Sequence, residues 1–387
     1  MQRGIAALMQ SAKPSNTFER ADSILVPFAR KPAPGRVDEH SARLLIASDF
    51  GRFLILDNGD RQIKSPSQYP CTIRNWDLQR LHARASAAFT FPELLKDARR
   101  ESAVLRHAIR QGFGQDVAPG ALELAHRCAA FDHGLALSRA VLRNTAAKRI
   151  FIVGRNSTPE LLGAAAEAGV PSIELQHGVI AKFNPHYHYP GRPRVPYAPD
   201  WLLTFGPMWQ QEINLPAQTR PSVIGFPNFP QSRAASSPKC LLVLSQWSIG
   251  PRLIDAVRSV AKAAADWDIV FRPHPLENAM AYKKIFSDCP NVRISNDELL
   301  EVQFSGASVQ LGVYSTALYE GMSAGLRTIL LDLPGIEHMD TCLQRGDAVL
   351  SHRSEDVASL LATAPRAKDV AFYIEPAAAI AAALGIA

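Results

Sequence analysis

A histidine held between two prolines, with an arginine beside it, occurs in Phe271-Arg272-Pro273-His274-Pro275. Each proline fixes its own φ, removes a backbone donor and restricts the residue before it. The imidazole is therefore presented at the end of the apolar run Asp268 to Phe271, where it can donate to a phosphate or protonate a leaving group. The plainer alternative is a stiff loop whose histidine caps a carbonyl. A second cluster is Val313-Tyr314-Ser315-Thr316-Ala317-Leu318-Tyr319-Glu320-Gly321. It reads as a strand running into a helix. The Ser315 and Thr316 hydroxyls, with the unbonded N–H groups of the first turn, make an anion site. Glu320, about one and a half turns in, suits the vicinal hydroxyls of a ribose. Taken alone, the same residues also read as an ordinary serine cap and a solvated glutamate.

The third cluster, Glu174-Leu175-Gln176-His177-Gly178, again ends a strand. Gly178 lets backbone pass close to a ligand, and Gln176 and His177 carry donors and acceptors. Phe183-Asn184-Pro185-His186-Tyr187-His188-Tyr189 follows. Tyr187 and Tyr189 suit stacking on a sugar ring or a base, or equally the packing of a loop over a cleft. His186 and His188 lack a cysteine or a close carboxylate to complete a cation site, so no metal is expected.

These clusters need strands to carry them, and the chain supplies the material. Its 387 residues are 47% hydrophobic and 20% charged, which suits two globular domains and excludes a disordered or collagen-like chain. A net charge of +6 and a pI near 9.1 fit a phosphorylated substrate or an anionic surface. The basic residues form no stripe and match no nucleic-acid module, so nucleic acid is not expected as a partner. The five cysteines have no metal-ligand spacing and read as reduced core residues, which points to the cytoplasm. The apolar run near Met1 is too short for a signal peptide, and no later stretch reaches the ~20 apolar residues of a membrane span.

Residues 1–70 read as β-rich, with apolar runs at Ile24 to Phe28, Arg43 to Ala47 and Phe53 to Leu56, and a hairpin signal at Asp57-Asn58-Gly59-Asp60. A helical region spans about Phe91 to Ala147, with Pro92 in its first turn. Strands and helices then alternate: Arg149 to Val153, a helix from Ser157-Thr158-Pro159-Glu160 to Gly169, Ser172 to Leu175, and Trp201 to Phe205. Residues 226–238 hold three prolines and no periodicity, and read as a linker. Beyond it come strands Leu241 to Ser245, Asp268 to Phe271, Val309 to Val313 and Thr328 to Leu331. The helices between and after them are Pro251 to Ala265, Leu276 to Phe286, Ser315 to Ala324 and Asp356 to Ala362. Apolar strands alternating with helices predict an α/β protein with two Rossmann-like parallel-sheet domains, at 71–225 and 239–365. The β-rich segment is an N-terminal extension of the first, and 366–387 a helical tail. Ligands of such sheets bind at the carboxyl ends of strands, where all three clusters fall.

The His-Pro motif at His274 and the serine motif at Ser315, taken in order, resemble the GT-B glycosyltransferases of bacterial capsule and lipopolysaccharide synthesis. Within these they are similar to sialyl-, polysialyl- and β-Kdo transferases and to teichoic-acid glycerophosphotransferases. Gln176-His177-Gly178 resembles an element of capsule transferases, and Glu320 to Gly325 the GT-B pattern whose glutamate holds the donor ribose. The resemblance covers about Arg149 to Ala364. It does not extend to the Asp/Glu-Asp/Glu-Gly tripeptide of sialyltransferases, which this chain lacks. It implies a nucleotide-sugar donor, CMP- or CDP-linked, as co-substrate with no further cofactor, and a glycan or lipid-linked glycan as acceptor. It further implies work in the cytoplasm or at the inner face of its membrane, and nucleotide or phosphate binding by His274, Ser315 and Thr316.

The expected mechanism places the donor between the halves. Arg272, His274 and the helix start at Ser315, beside Tyr314, neutralise the departing phosphate. A carboxylate of the first half, Glu174 or Asp49, deprotonates the acceptor, with His177 as a further catalytic group. Gln176, Gly178, Tyr187 and Tyr189 line the acceptor side. The alternatives are another GT-B enzyme, such as a nucleotide-sugar 2-epimerase or a pyruvyl transferase, and a non-catalytic nucleotide-sugar-binding protein of polysaccharide assembly.

Overall fold

A computed structural model describes residues 18–28, 40–41, 50–57, 71–211, 213–225, 239–274, 276–295, 300–368 and 372. The linker segment 226–238, nearly all of the tail, the run Arg43 to Ala47, and Asp49 lie outside the described residues.

Two parallel sheets account for the strand-rich patterning. The first has seven strands: β1 (Ser23–Val26), β2 (Phe53–Asp57), β3 (Cys71–Asn75), β4 (Arg149–Val153), β5 (Ser172–Leu175), β6 (Trp201–Thr204) and β7 (Arg220–Val223). Their spatial order is β3-β2-β1-β4-β5-β6-β7. The second sheet orders six strands as β10-β9-β8-β11-β12-β13. These are β8 (Cys240–Leu244), β9 (Asp268–Arg272), β10 (Val292–Ile294), β11 (Val309–Gly312), β12 (Arg327–Leu331) and β13 (Val349–Ser351).

The β-rich N-terminal segment is part of the first domain, to whose sheet it gives β1 and β2. β1 lies inside the first sheet, paired in parallel with β2 on one side and β4 on the other. The residues Asn58 to Asp60 of the hairpin signal lie outside the described residues. The strands described on either side, β2 and β3, run parallel, and a tight turn joins only antiparallel neighbours. The helical region begins earlier than Phe91 and holds two helices, α1 (Asp77–Phe113) and α2 (Ala121–Thr145). Gly114 closes α1 in the left-handed region at φ 67°, and Gly120 precedes α2 in extended backbone. Pro92 lies inside α1, not in its first turn, so its ring removes one backbone donor from the helix ladder.

Strand alternation assigns the core. On one face of the first sheet Ile24, Val26, Leu54, Leu56, Ile150 and Ile152 pack with Val141, Leu142, Leu161 and Leu162 of α2 and α3 (Pro159–Ala168). On the other, Leu25, Phe53, Ile55, Phe151 and Val153 form a second cluster. Strands buried on both faces read as continuous apolar runs, which is why they were visible in the sequence. β3, β7, β10 and β13 were not. They are three to five residues long, partly exposed and at sheet edges, and β7 contains Pro221.

A further cluster spans both halves. Phe205, Met208 and Trp209 of the first meet Tyr319, Met322 and Leu326 of the second, together with Phe372. The Trp209 and Tyr319 ring centroids are 4.6 Å apart, and the Trp209 indole N–H donates to the Phe372 carbonyl. Of the cysteines, Cys240 and Cys342 are buried, whereas Cys128 is exposed, so the core reading holds for part of the set.

Candidate functional site

In each sheet the strand order reverses at one place, and the crevice beyond that point is where open α/β sheets take ligands. In the first sheet it lies between β1 and β4, in the second between β8 and β11.

β9 ends at Arg272, and the chain turns through Pro273 and His274. The His274 amide donates to Glu277 Oε2 at 2.6 Å, and the Glu277 amide donates to the His274 carbonyl at 2.8 Å. Leu276 N–H donates to His274 Nδ1 at 3.2 Å. Glu277 Oε1 accepts from Tyr282 Oη at 2.7 Å and from Ser245 Oγ, just past β8, at 3.1 Å. Burial and then the Glu277 carboxylate push the Tyr282 hydroxyl well above the ordinary tyrosine range, so it stays protonated as a donor. Gly250, which opens α4 (Gly250–Ala263), makes the space: a Cβ there would lie 1.9 Å from Glu277 Oε1 and 2.3 Å from Tyr282 Oη. The helix expected from Leu276 starts at Ala279, because the Asn278 side chain caps it by accepting from Met280 and Ala281 N–H. Leu276 and Glu277 are thereby left in the loop.

β8 lies between β9 and β11, so the His274 loop and the Ser315 helix start flank it rather than adjoin each other. At about 4.8 Å per strand they stand roughly 10 Å apart. The Tyr314 amide donates to Gln246 Oε1 at 3.2 Å, which ties the end of β11 to the loop after β8. Ser315 caps α6 (Thr316–Ser323; α5 is Ala279–Ile285), with Oγ accepting from Leu318 N–H at 3.3 Å. Thr316 opens the helix and Glu320 is half-buried within it. Gly321 is required by packing: a Cβ there would meet Gln310 Oε1 at 2.0 Å.

The predicted groups of the first half stand differently. Glu174 is wholly buried. Its Oε1 accepts from Tyr187 Oη at 2.7 Å and from Arg155 N–H at 3.1 Å, and its Oε2 lies 3.7 Å from Arg155 Nε. Burial raises the Glu174 pKa, and Arg155 opposes the shift. A general base must reach the proton it removes, and here no Glu174 oxygen faces solvent. Tyr187 is also buried, its ring 4.8 Å from the Arg155 guanidinium, so it offers no stacking face to a ligand. Tyr189, half-buried, lies 5.5 Å from the same guanidinium. Gln176 is spent on structure: its amide donates to Gly178 O at 2.9 Å and accepts from Phe205 N–H at 2.9 Å. His177 and Gly178 remain half-buried at the strand end, the His177 ring 5.5 Å from Phe28 past β1.

Arg155 was not singled out in the sequence. It is 5% exposed and follows β4 at the switch point of the first sheet. Its two terminal nitrogens meet no hydrogen-bond acceptor among the described residues. Glu277, Tyr282, Ser245 and Gly250 were missed as well. Tyr282 and Ser245 reach Glu277 from 5 and 32 residues away, and sequence spacing carries no trace of that convergence.

The two sets of strand ends face a common junction. Phe183, just beyond the Gln176-His177-Gly178 turn, packs edge-on against His338 at 6.3 Å, and His338 lies 5.2 Å from Tyr314. Lys182 pairs with Asp340 at 3.3 Å across the same boundary.

No protein-family model matches the chain, and no curated protein does. Solved structures do. UDP-GlcNAc 2-epimerase from Methanocaldococcus jannaschii superposes with a TM-score of 0.51 at 11% identity, over 91% of this chain and 95% of that one. This protein has the GT-B fold. Acinetobacter baumannii MurG is similar at a TM-score of 0.48 and 12% identity, over 89% and 90% of the two chains. Anabaena HepE, solved with UDP and glucose, gives 0.49 and 11%, over 89% of each. In GT-B terms, the His274 and Ser315 groups belong to the C-terminal domain and the Arg155 and His177 groups to the N-terminal domain. Among the described residues no helix is long and apolar enough to cross a membrane.

Proposed function

We propose that this chain is a metal-independent glycosyltransferase that moves a sugar from a nucleotide-linked donor, CMP- or CDP-linked, to a surface-polysaccharide acceptor. The observation that carries the reading is the pairing of the His274 loop and the Ser315-capped helix on either side of β8, beside the switch point of the C-terminal sheet. Arg272, His274 and the first-turn amides of α6 would take the departing phosphate, and Glu320 the ribose. Glu174 is read as the support of Arg155 and Tyr187. The acceptor's base is sought among half-buried groups at the strand ends, with His177 the foremost. The acceptor is a glycan or lipid-linked glycan, met in the cytoplasm or at the inner face of its membrane.

A second reading follows from the whole-chain likeness to a 2-epimerase: conversion of a nucleotide-sugar without an acceptor. Incubation with CMP-, CDP- and UDP-linked sugars, with and without acceptor glycans, separates the two. Acceptor-dependent nucleotide release supports transfer. A changed sugar without acceptor supports epimerisation, and neither outcome with any donor refutes both.

A further inference from the structure

We infer that Glu277 is the positioning residue of the donor site, holding the His274 ring as its neutral Nε2–H tautomer, a hydrogen-bond donor to a nucleotide phosphate oxygen. The inference rests on the donor-site reading of His274 for its ligand, but on geometry alone for its tautomer.

A backbone N–H can only donate. Leu276 N–H points at His274 Nδ1 at 3.2 Å, so Nδ1 must offer its lone pair. A neutral imidazole carries one ring proton, which then sits on Nε2. Protonating Nδ1 would set two N–H groups against each other and break this bond. The ring is therefore built to donate through Nε2, not to cycle a proton through Nδ1.

Glu277 keeps Leu276 N–H in that position. Its carboxylate takes the His274 amide at 2.6 Å, and its own amide binds the His274 carbonyl at 2.8 Å, closing the loop at both ends. The carboxylate is itself fixed by Tyr282 and Ser245 at 2.7 and 3.1 Å, in the space that Gly250 leaves open. A charge-assisted bond of this length is roughly twice as strong as a neutral one. Glu277 acts on the ring through the backbone and does not touch the ligand.

Full-length protein labelled with ¹⁵N-histidine reports the tautomer directly, without nucleotide, with His274→Asn identifying the His274 signals. The expected wild-type spectrum shows a protonated Nε2 and an unprotonated Nδ1 for neutral His274. Glu277→Ala should mix the tautomers and weaken CMP or UDP binding by about tenfold. Glu277→Gln, which keeps an acceptor for the His274 amide, should restore most of both. Tyr282→Phe leaves the carboxylate in place and should fall between wild type and Glu277→Ala. A wild-type ring protonated at Nδ1, or an unchanged tautomer in Glu277→Ala, overturns the positioning role. A wild-type Nε2–H ring in a protein that binds neither CMP nor UDP overturns the donor-site reading instead.

Discussion

Within β5, Glu174 accepts from Tyr187 at 2.7 Å and from the Arg155 amide at 3.1 Å. Behind β9, Glu277 accepts from Tyr282 at 2.7 Å and from the His274 amide at 2.6 Å. The two domains use the same carboxylate and phenol to hold the backbone of one basic residue at a strand end. Their surroundings differ. Glu174 is sealed in with the Arg155 guanidinium, whereas Glu277 is half-buried and supports a loop at the surface. A carboxylate paired with a cation inside the protein bears on whether the domain folds. One that braces an exposed loop bears on what the loop can bind.

The largest effect is expected at the glutamates. Glu174→Ala leaves Arg155 buried without its counter-charge and should cost about 3–5 kcal/mol, read as the denaturation midpoint of the purified protein. Glu277→Ala should cost less than half as much, since the donors it leaves behind, Tyr282 Oη, Ser245 Oγ and the His274 amide, carry no charge. Equal losses would break the comparison.

Next comes function. His274→Ala should lower kcat at least ~100-fold, about 2.7 kcal/mol of barrier, with an unchanged thermal midpoint. Near-normal turnover would remove the C-terminal domain from the chemistry.

The tyrosines sharpen the contrast. Tyr187→Phe withdraws a donor from a fully buried carboxylate and should destabilise by about 1–3 kcal/mol. Tyr282→Phe should cost about 1 kcal/mol or less, because Ser245 still donates. The smallest effect belongs to Ser315→Ala, which loses the α6 cap for about 1 kcal/mol or less of stability. If α6 also binds the donor phosphate, KM for the donor should rise with that loss. An unchanged KM would leave Ser315 a cap alone.

What the sequence disclosed follows from what sequence can encode. The strands β4, β8, β9 and β11 announce themselves as apolar runs, and the Ser315 cap and the proline-flanked His274 are local chemistry. Strand order is not local. Without it the switch points cannot be found, so Arg155 passes for a residue after a strand and Glu277 for one on a helix. Glu174 misled for the reverse reason: a carboxylate next to a strand end looks available, and only the fold shows Arg155 and Tyr187 closing over it. Gln176 is a similar case, a polar side chain whose hydrogen bonds are spent on Gly178 and Phe205.

The place of β1 inside its sheet bears on how the chain assembles. Its neighbour β4 begins at Arg149, roughly 125 residues after the start of β1. During synthesis at about 5–20 residues per second, one edge of β1 waits on the order of ten seconds for its partner. In that interval the two-helix unit α1–α2 emerges. Its contacts are local and form quickly, while long-range parallel pairing is slow. The nascent first domain therefore passes through a stage in which helices are complete and an apolar strand edge is open. An open edge of this kind is a template for pairing with other chains. The N-terminal sheet, rather than the domain that carries His274, is where expression and refolding should be most sensitive to concentration and temperature.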